Sequence, residues 1–208
     1  MSRHRIRIRF SKTGNLRFIG HKDLLRLMER LFRRARLPLA MSEGFHPKVR
    51  MSFPSALALG VAGMDEAMEL ECTEQLETAE LLDRLNNVSV PGLCFLSAAW
   101  LAPGEKKAAI TASVFEWTVP ESARDAVKHG LKRLLDAETV PIEKPNGKTV
   151  DVRKAIQEAS LDEGTCKMSV TLLSTQGSDA GVREVLKSLD LEQELFRSIF
   201  PVRTRVLL

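Results

Sequence analysis

Two histidines stand in surroundings that could support proton transfer. His21 follows Gly20 at the start of a predicted helix, and His46 precedes Pro47 in a short polar loop. A histidine side chain titrates near neutral pH, which suits it to general acid–base chemistry. Together with Glu43, the pair is a candidate for acid–base cleavage of RNA. The alternative is structural, with His21 bonding backbone groups at the helix start and His46 capping a turn, so we assign no catalytic residue.

The guanidinium group dominates the first quarter of the chain. Residues 3–53 contain 14 lysines and arginines and three acidic residues, whereas the whole chain has a net charge of only +4. Arg5, Arg7 and Arg9 alternate with apolar residues, which predicts a strand with the three arginines on one face. Guanidinium groups bind phosphate through a planar fork of donors and stay charged near neutrality. The strand therefore predicts a row of phosphate contacts.

Other residues of this stretch would extend the phosphate-binding surface or shape a pocket beside it. The cationic extensions are Arg17, Lys22, Lys48 and Arg50. The pocket loop contributes Ser42, Glu43, Phe45 and His46. The chain has no tyrosine, and Phe18 and Phe45 are the N-terminal candidates for stacking on bases. We therefore expect recognition of the RNA backbone and its shape rather than of base sequence.

Two other interpretations of the basic stretch remain open. Alternating cations on a strand are often a solvated sheet face that binds nothing. The residues outside 3–53 sum to a charge of −7, so the arginines could also pair with carboxylates of the same chain or of a partner protein.

A second candidate binding segment lies later in the chain, at Lys148, Asp151 and Arg153. Two positions apart on an extended segment, Asp151 and Arg153 would point to the same side and could pair with each other or with a ligand. An exposed ion pair of small energetic worth is the alternative. The chain has no Walker-type phosphate loop, dinucleotide glycine signature or metalloprotease helix motif.

The pattern of the first half predicts an α+β module. Strands are expected at residues 4–11, 67–72 and 93–101, helices at 21–36 and 78–85, and extended segments at 39–42 and 48–54. The order strand, helix, strand, strand, helix, strand is that of a ferredoxin-like fold, with two helices on one face of an antiparallel sheet.

A similar rhythm recurs after the turn-rich residues 103–107. We expect strands at 111–119 and 202–208, helices at 122–135 and 181–189, and two or three extended segments within 140–174. The sequence thus predicts two ferredoxin-like modules in tandem, a basic one over residues 1–103 and an acidic one over 109–208.

Composition narrows the class of protein. No apolar run approaches the roughly 20 residues that cross a bilayer, and the early arginines interrupt any signal-peptide-like segment. Cys72, Cys94 and Cys166 are far apart, as expected of reduced thiols in a cytoplasmic protein. Because cysteines and histidines do not cluster, we predict no metal, no iron–sulfur centre and no cofactor.

Several motifs of the first half resemble those of a known family. They are Arg17-Phe18-Ile19-Gly20-His21-Lys22-Asp23-Leu24, Arg33-Arg34-Ala35-Arg36-Leu37-Pro38-Leu39-Ala40, Ser42-Glu43-Gly44-Phe45-His46-Pro47 and Met51-Ser52-Phe53. They resemble the radical-SAM-linked protein family, an uncharacterised domain found beside or fused to cobalamin-binding-type radical SAM proteins. The segment from Lys148 to Arg153 is similar to a second motif of that family. The resemblance implies a radical SAM partner, because this chain lacks the three closely spaced cysteines of a radical SAM enzyme.

The combined hypothesis is a cytoplasmic, non-catalytic accessory protein that binds RNA or a ribonucleoprotein through its basic sheet face and loop. It would work with a separate radical SAM enzyme and have no contact with membranes. Two alternatives stay open, an endoribonuclease that uses His21 and His46, and a protein-interaction module without affinity for RNA.

Overall fold

The computed structural model describes residues 3–174, 180–191, 196 and 198–208. The chain is a mixed α/β protein whose strands pair mostly in antiparallel fashion, with five α-helices in the described residues. It divides into two compact units, residues 1–109 and 110–208. None of the helices in the described residues is both long and apolar enough to span a bilayer.

The first unit contains four strands and two α-helices. In chain order they are β1 (His4–Lys12), α1 (His21–Arg34), β2 (Met51–Ser52), β3 (Ala62–Cys72), α2 (Thr78–Asn87) and β4 (Leu93–Trp100), with a 3-10 turn at Gly14–Phe18. The sheet order is β4-β1-β3-β2, and each neighbouring pair is antiparallel. Strand β1 is therefore central, flanked by β3 and β4.

The alternation of β1 decides which of its side chains enter the core. Ile6, Ile8 and Phe10 are almost completely buried, because successive residues of a strand point to opposite faces of the sheet. The intervening arginines consequently share the other face. The register places Arg7 opposite Glu69 of β3 and Arg5 opposite Glu71, so cations and carboxylates lie side by side across the two strands.

Helix α1 packs against this core through one stripe. Leu24, Met28, Leu31 and Phe32 are buried, as expected for apolar residues that recur every three or four positions. The helix ends at Arg34, two residues before the predicted end, because Arg36 adopts a left-handed conformation with φ of 53°.

The described residues of the second unit form six strands and three α-helices. Its elements are β5 (Ala112–Thr118), α3 (Arg124–Asp136), β6 (Pro141–Glu143), β7 (Thr149–Asp151), α4 (Val152–Ala155), β8 (Ile156–Asp162), β9 (Lys167–Leu173), α5 (Val182–Ser188) and β10 (Val202–Leu207). The sheet order is β10-β5-β9-β8, and β6 pairs with β7 separately.

The net negative charge of the chain is concentrated in residues 51–100, within the first unit. Residues 51–100 contain eight acidic residues and one basic residue, whereas residues 110–208 contain 15 acidic and 14 basic residues. The carboxylates that offset the arginines of β1 come mainly from β3, the strand paired with β1.

Candidate nucleic-acid interface

The arginines of β1 are engaged by carboxylates of the same unit. Arg7 donates to Oε1 of Glu69 over 3.0 Å and reaches Oε1 of Glu105 at 3.4 Å, and Arg9 lies 3.4 Å from Asp65. The three arginine side chains keep only between a fifth and a quarter of their surface exposed. The row predicted from the sequence is present, but each of its charges has an acidic neighbour.

Glu69 is the centre of this network. Its side chain is 2% exposed, and its Oε1 accepts hydrogen bonds from Arg7 and from the backbone N–H of Ala108 at 3.0 Å. Its Oε2 lies 3.6 Å from Nε of Arg5. A buried carboxylate is stable only when cations and N–H donors surround it. Glu69 therefore depends on Arg5, Arg7 and the Ala108 N–H, and the two arginines in turn depend on its charge.

The segment from residue 102 to 108 lies against the arginine-bearing face of the sheet. Arg5 donates to the carbonyl oxygens of Glu105 and Lys106, and Ala108 is held by Glu69. Glu105 also accepts from the backbone N–H of Ala102 at 3.3 Å, which closes a turn in the segment. The turn-rich residues 103–107 therefore cover part of the arginine-bearing face of the sheet.

Arg50 and Glu71 form a pair at the outer edge of the same face. Nε of Arg50 lies 2.5 Å from Glu71, and this hydrogen bond together with the charge of Glu71 raises the pKa of the Arg50 guanidinium above its usual value. The pair borders a cleft of about 190 Å³ that is also lined by Arg5, Ser42 and Lys107. This cleft contains both signs of charge and is not a simple anion site.

The loop of residues 42–48 projects into solvent from a closed base. Met41 and Val49 pair across the base, the N–H of Ser42 donates to the carbonyl of Lys48 over 2.8 Å, and the Lys48 N–H donates back to the Ser42 hydroxyl. Phe45 at the tip is fully exposed. Gly44 has a φ of 118°, a backbone conformation that glycine adopts readily.

The remaining loop residues make few contacts. Glu43 pairs with Arg3 at 3.0 Å with its own side chain 90% exposed, and His46 and Lys48 are exposed as well. His21 is half-buried and packs edge-to-face on Phe53 with ring centroids 5.5 Å apart. His21 thus has a packing role in the structure, and the acid–base pairing of His21 with His46 stays a hypothesis.

Arg17 and Phe18 lie in the 3-10 turn that follows β1. The Arg17 guanidinium carbon is 4.7 Å from the centre of the Phe18 ring, a cation–π contact. Phe18 keeps 55% of its surface exposed, so one face of this stacked pair is open to solvent.

The outer face of α1 carries the best exposed group of cations in the first unit. Lys22, Arg26, Arg30, Arg33 and Arg34 are all exposed. Arg26 pairs with Asp23 at 3.4 Å and Arg33 with Glu29 at 2.8 Å. The side chains of Lys22, Arg30 and Arg34 have no ion pair or hydrogen bond within the part of the chain that the structure describes. Of these residues, sequence reasoning selected only Lys22, although their spacing of three and four opposite the apolar stripe was available as a signal.

In the second unit, Asp151 and Arg153 hold local structure together. Oδ1 of Asp151 accepts from the backbone N–H groups of Val140 and Arg153 at 3.0 and 3.1 Å, which caps α4. Burial acts to raise the pKa of Asp151, but these backbone hydrogen bonds and the charge of Lys154 lower it overall.

The Arg153 side chain turns to main-chain oxygens instead. Its guanidinium donates to the carbonyls of Leu135 and Ile156 at 3.2 and 3.4 Å. Lys148 lies exposed in the turn between β6 and β7, where its N–H donates to Asn146. All three residues thus take part in local structure of the second unit.

Within the described ranges, no group of three histidine, cysteine or acidic side chains could hold a metal ion. Residues 5–184 match a family described as "Uncharacterized protein conserved in bacteria (DUF2344)". No curated protein matches the chain. The family description names no activity, so the link to radical SAM proteins stays a prediction.

Proposed function

The chain belongs to this uncharacterised bacterial family, DUF2344, and we propose that it is a non-catalytic accessory protein that binds RNA or a ribonucleoprotein through its first unit. The binding surface comprises the exposed cations of α1 and the loop of residues 42–48. A separate radical SAM enzyme performs the chemistry on the bound substrate.

The observation that carries this proposal is the row of cations along α1. Lys22, Arg26 and Arg30 follow one another every four residues, about 6 Å apart along the helix axis. Each cation that meets a phosphate releases condensed counterions, which favours binding of a polyanion. Because Lys22 and Arg30 have no carboxylate partner among the described residues, phosphate binding there breaks no existing ion pair.

The arginines of β1 are less suited to the same task. A phosphate that approached Arg5 or Arg7 would compete with Glu69, which is buried beside them, and with Glu105. The negative potential of these carboxylates opposes a polyanion. We therefore assign the main phosphate contacts to α1 and Lys48. The main role of Arg5, Arg7 and Arg9 is to stabilise the sheet face through their ion pairs.

The architecture supports a duplicated ferredoxin-like fold as part of the proposal. In the first unit the four strands lie in the order fourth, first, third, second. If the β6–β7 hairpin and α4 are counted as an insertion, the strands of the second unit follow the same order. Among the described residues, and with α4 counted in that insertion, two α-helices connect the strands of each unit in corresponding positions, as expected of a βαββαβ module.

The radical SAM partner rests on the resemblance of the motifs around His21, Arg33 and Ser42. The sequence contains three cysteines that are far apart, so the chain does not itself supply the cysteine triplet of a radical SAM cluster. A protein that presents RNA to such an enzyme needs a binding surface and no catalytic group, and the exposed α1 face meets that requirement.

The test compares two triple variants that change net charge equally. One replaces Lys22, Arg30 and Arg34 with glutamine, and the other replaces Lys128, Lys132 and Lys187 of the second unit. Affinity for a fluorescent single-stranded RNA is measured by anisotropy between about 50 and 200 mM salt. We expect the α1 variant to bind at least about tenfold more weakly, with a salt slope smaller by about 2, since each lost contact removes about 0.7 from the slope.

Three results would contradict the proposal. One is equal affinity of both variants and the parent, and another is absence of RNA binding by the parent. The third is RNA cleavage by the purified parent that the substitution His21→Ala or His46→Ala abolishes, which would make the protein a nuclease. Co-purification of the native protein with a radical SAM chain, before and after ribonuclease treatment, tests the partner separately.

A further inference from the structure

A groove in the first unit runs between α1 and the segment after the exposed loop. Its volume is about 400 Å³. The floor is apolar and consists of Leu25, Val49 and Met51, while Lys22, Arg26 and Lys48 stand around it. Leu25 and Met51 are partly exposed, so the floor is open to a ligand.

The groove differs in chemistry from the cleft beside Arg50. That cleft shares Val49 and Met51 with the groove, but most of its lining is charged, and most of these charges already pair with each other, as Arg50 does with Glu71. In the groove, the carboxylate of Glu29 is offset by Arg33 at 2.8 Å. Its cations outnumber its one acid, and its centre is hydrocarbon. It therefore suits a ligand with a flat or apolar body and negative charge on either side.

A nucleotide within a single strand of RNA has this distribution of properties. Its base is a flat aromatic body, and the phosphodiesters before and after it carry the charge. Burying the flat face of a base against these aliphatic side chains removes apolar surface from water and so favours binding. In duplex RNA the bases are stacked inside the helix and cannot enter such a groove.

We propose that this groove binds one unstacked base of a single-stranded RNA, and that Lys22, Arg26 and Lys48 contact the flanking phosphates. The site deepens the function proposed above and rests on it. It implies that the substrate is presented from a loop or a single-stranded end, since only there is a base free to leave the stack.

The experiment separates the base from the phosphates. The variant Leu25→Ala/Met51→Ala removes the floor without changing any charge, and Leu96→Ala, an exposed leucine of β4, is the matched control. Binding is measured to a single-stranded RNA and to a series of the same RNA with one abasic position. We expect the floor variant to bind the intact RNA about five- to tenfold more weakly, because less apolar surface is buried, with an unchanged salt slope, and the control to bind as the parent does.

The decisive comparison is whether the losses of affinity from the floor substitutions and from the abasic position add. The parent should lose affinity when the bound base is missing, and the floor variant should lose little more, because both changes remove the same contact. Urea unfolding of each variant shows whether the fold is intact. A parent that binds every abasic RNA as tightly as the intact one overturns the inference, and so does equal affinity for duplex RNA.

The two proposals fail in different ways. Loss of binding in the Lys22/Arg30/Arg34 variant with no effect of the floor variant overturns only the base site. Absence of any RNA binding overturns both. Binding of an acidic protein segment that the floor substitutions abolish, while RNA affinity stays unchanged, would show that a protein occupies the groove and would also overturn the inference.

Discussion

A single carboxylate organises the charged face of the first unit. Glu69 contacts two arginines of β1 and one backbone N–H of the covering segment. The sequence predicted part of this arrangement, because Glu69 and Glu71 alternate with apolar residues and are therefore expected on one face of a strand. The pairing of Glu69 with Arg7 could not be predicted from the sequence, since the register between two strands depends on the whole sheet rather than on local periodicity.

The substitution Glu69→Gln should lower the free energy of unfolding by about 2 kcal/mol. It leaves Arg5 and Arg7 without their main acidic partner, and hydrogen bonds to charged groups contribute about 1.5–3 kcal/mol. The value lies below the cost of breaking a fully buried pair because both arginines are partly hydrated. Urea denaturation followed by circular dichroism measures it.

The matched control is Glu105→Gln, which removes another carboxylate from Arg7. Glu105 has a side chain that is 40% exposed, so its loss should cost less than about 1 kcal/mol. Equal destabilisation by the two substitutions would show that Glu69 has no special structural weight.

Because the Cys72 thiol is buried, we expect the free energy of unfolding to fall at alkaline pH. Burial raises the pKa of the Cys72 thiol from 9.0 to about 11, so the folded state keeps its proton at pH values where the unfolded state loses it. The resulting contribution to stability is complete below pH 9 and is lost as the pH rises through about 11. The parent should therefore lose about 2 kcal/mol more than Cys72→Ala between pH 8 and pH 11.

Denaturant unfolding of parent and variant at a series of pH values measures this difference. Subtracting one free energy from the other cancels the titration of all groups that the two proteins share. If the difference between parent and variant stays constant with pH, the thiol does not titrate as its burial requires. Cys94 is exposed, and Cys94→Ala is the control that should leave the pH dependence unchanged.

At the scale of elements, strong periodicity gave reliable predictions and short elements did not. Strand β1 begins at the predicted residue and ends one residue later than predicted, and α1 begins at the predicted residue. The segment of residues 39–54 was expected to be two extended stretches. It forms isolated pairs and the two-residue strand β2, because its backbone bonds to β3 only in part.

Strand β3 is longer than predicted for a related reason. It starts at Ala62 rather than at residue 67. Asp65 and Glu66 interrupt the apolar pattern, yet Asp65 pairs with Arg9 and Glu66 is buried. A local pattern cannot show that an acidic residue has a partner on the neighbouring strand.

The turn before β4 depends on a glycine that contacts another backbone segment. Gly92 has a φ of 88°, and a Cβ there would lie 2.5 Å from the carbonyl oxygen of Thr13. Gly92→Ala should therefore destabilise the protein by more than about 2 kcal/mol, from left-handed strain plus the clash. Gly104→Ala shares the positive φ but has open space around it, and should cost only about 1 kcal/mol.

Thermal unfolding of the two variants distinguishes strain from contact. A similar loss for both would mean that the approach of Gly92 to Thr13 is relieved without cost. A larger loss of thermal stability for Gly104→Ala than for Gly92→Ala would contradict the close packing of Gly92 against Thr13.

For the molecule as a whole, the modest net charge conceals two populations of cations in one unit. Those of β1 pair with carboxylates, and several of those on α1 face solvent without a partner among the described residues. Composition alone does not distinguish the two populations. The fold separates them, because strand pairing brings β3 carboxylates to β1, while Lys22, Arg30 and Arg34 of α1 pair with no carboxylate among the described residues.

This separation predicts opposite consequences for two substitutions that each remove one positive charge. Arg7→Gln should lower the free energy of unfolding by about 1–2 kcal/mol and leave RNA affinity within about twofold, because its charge is already offset. Arg30→Gln should leave stability within about 0.5 kcal/mol and weaken RNA binding about threefold to tenfold. Urea unfolding and fluorescence anisotropy on the same preparations measure both quantities. The reverse pattern would show that the sheet face receives the phosphates and that α1 is only a solvated surface.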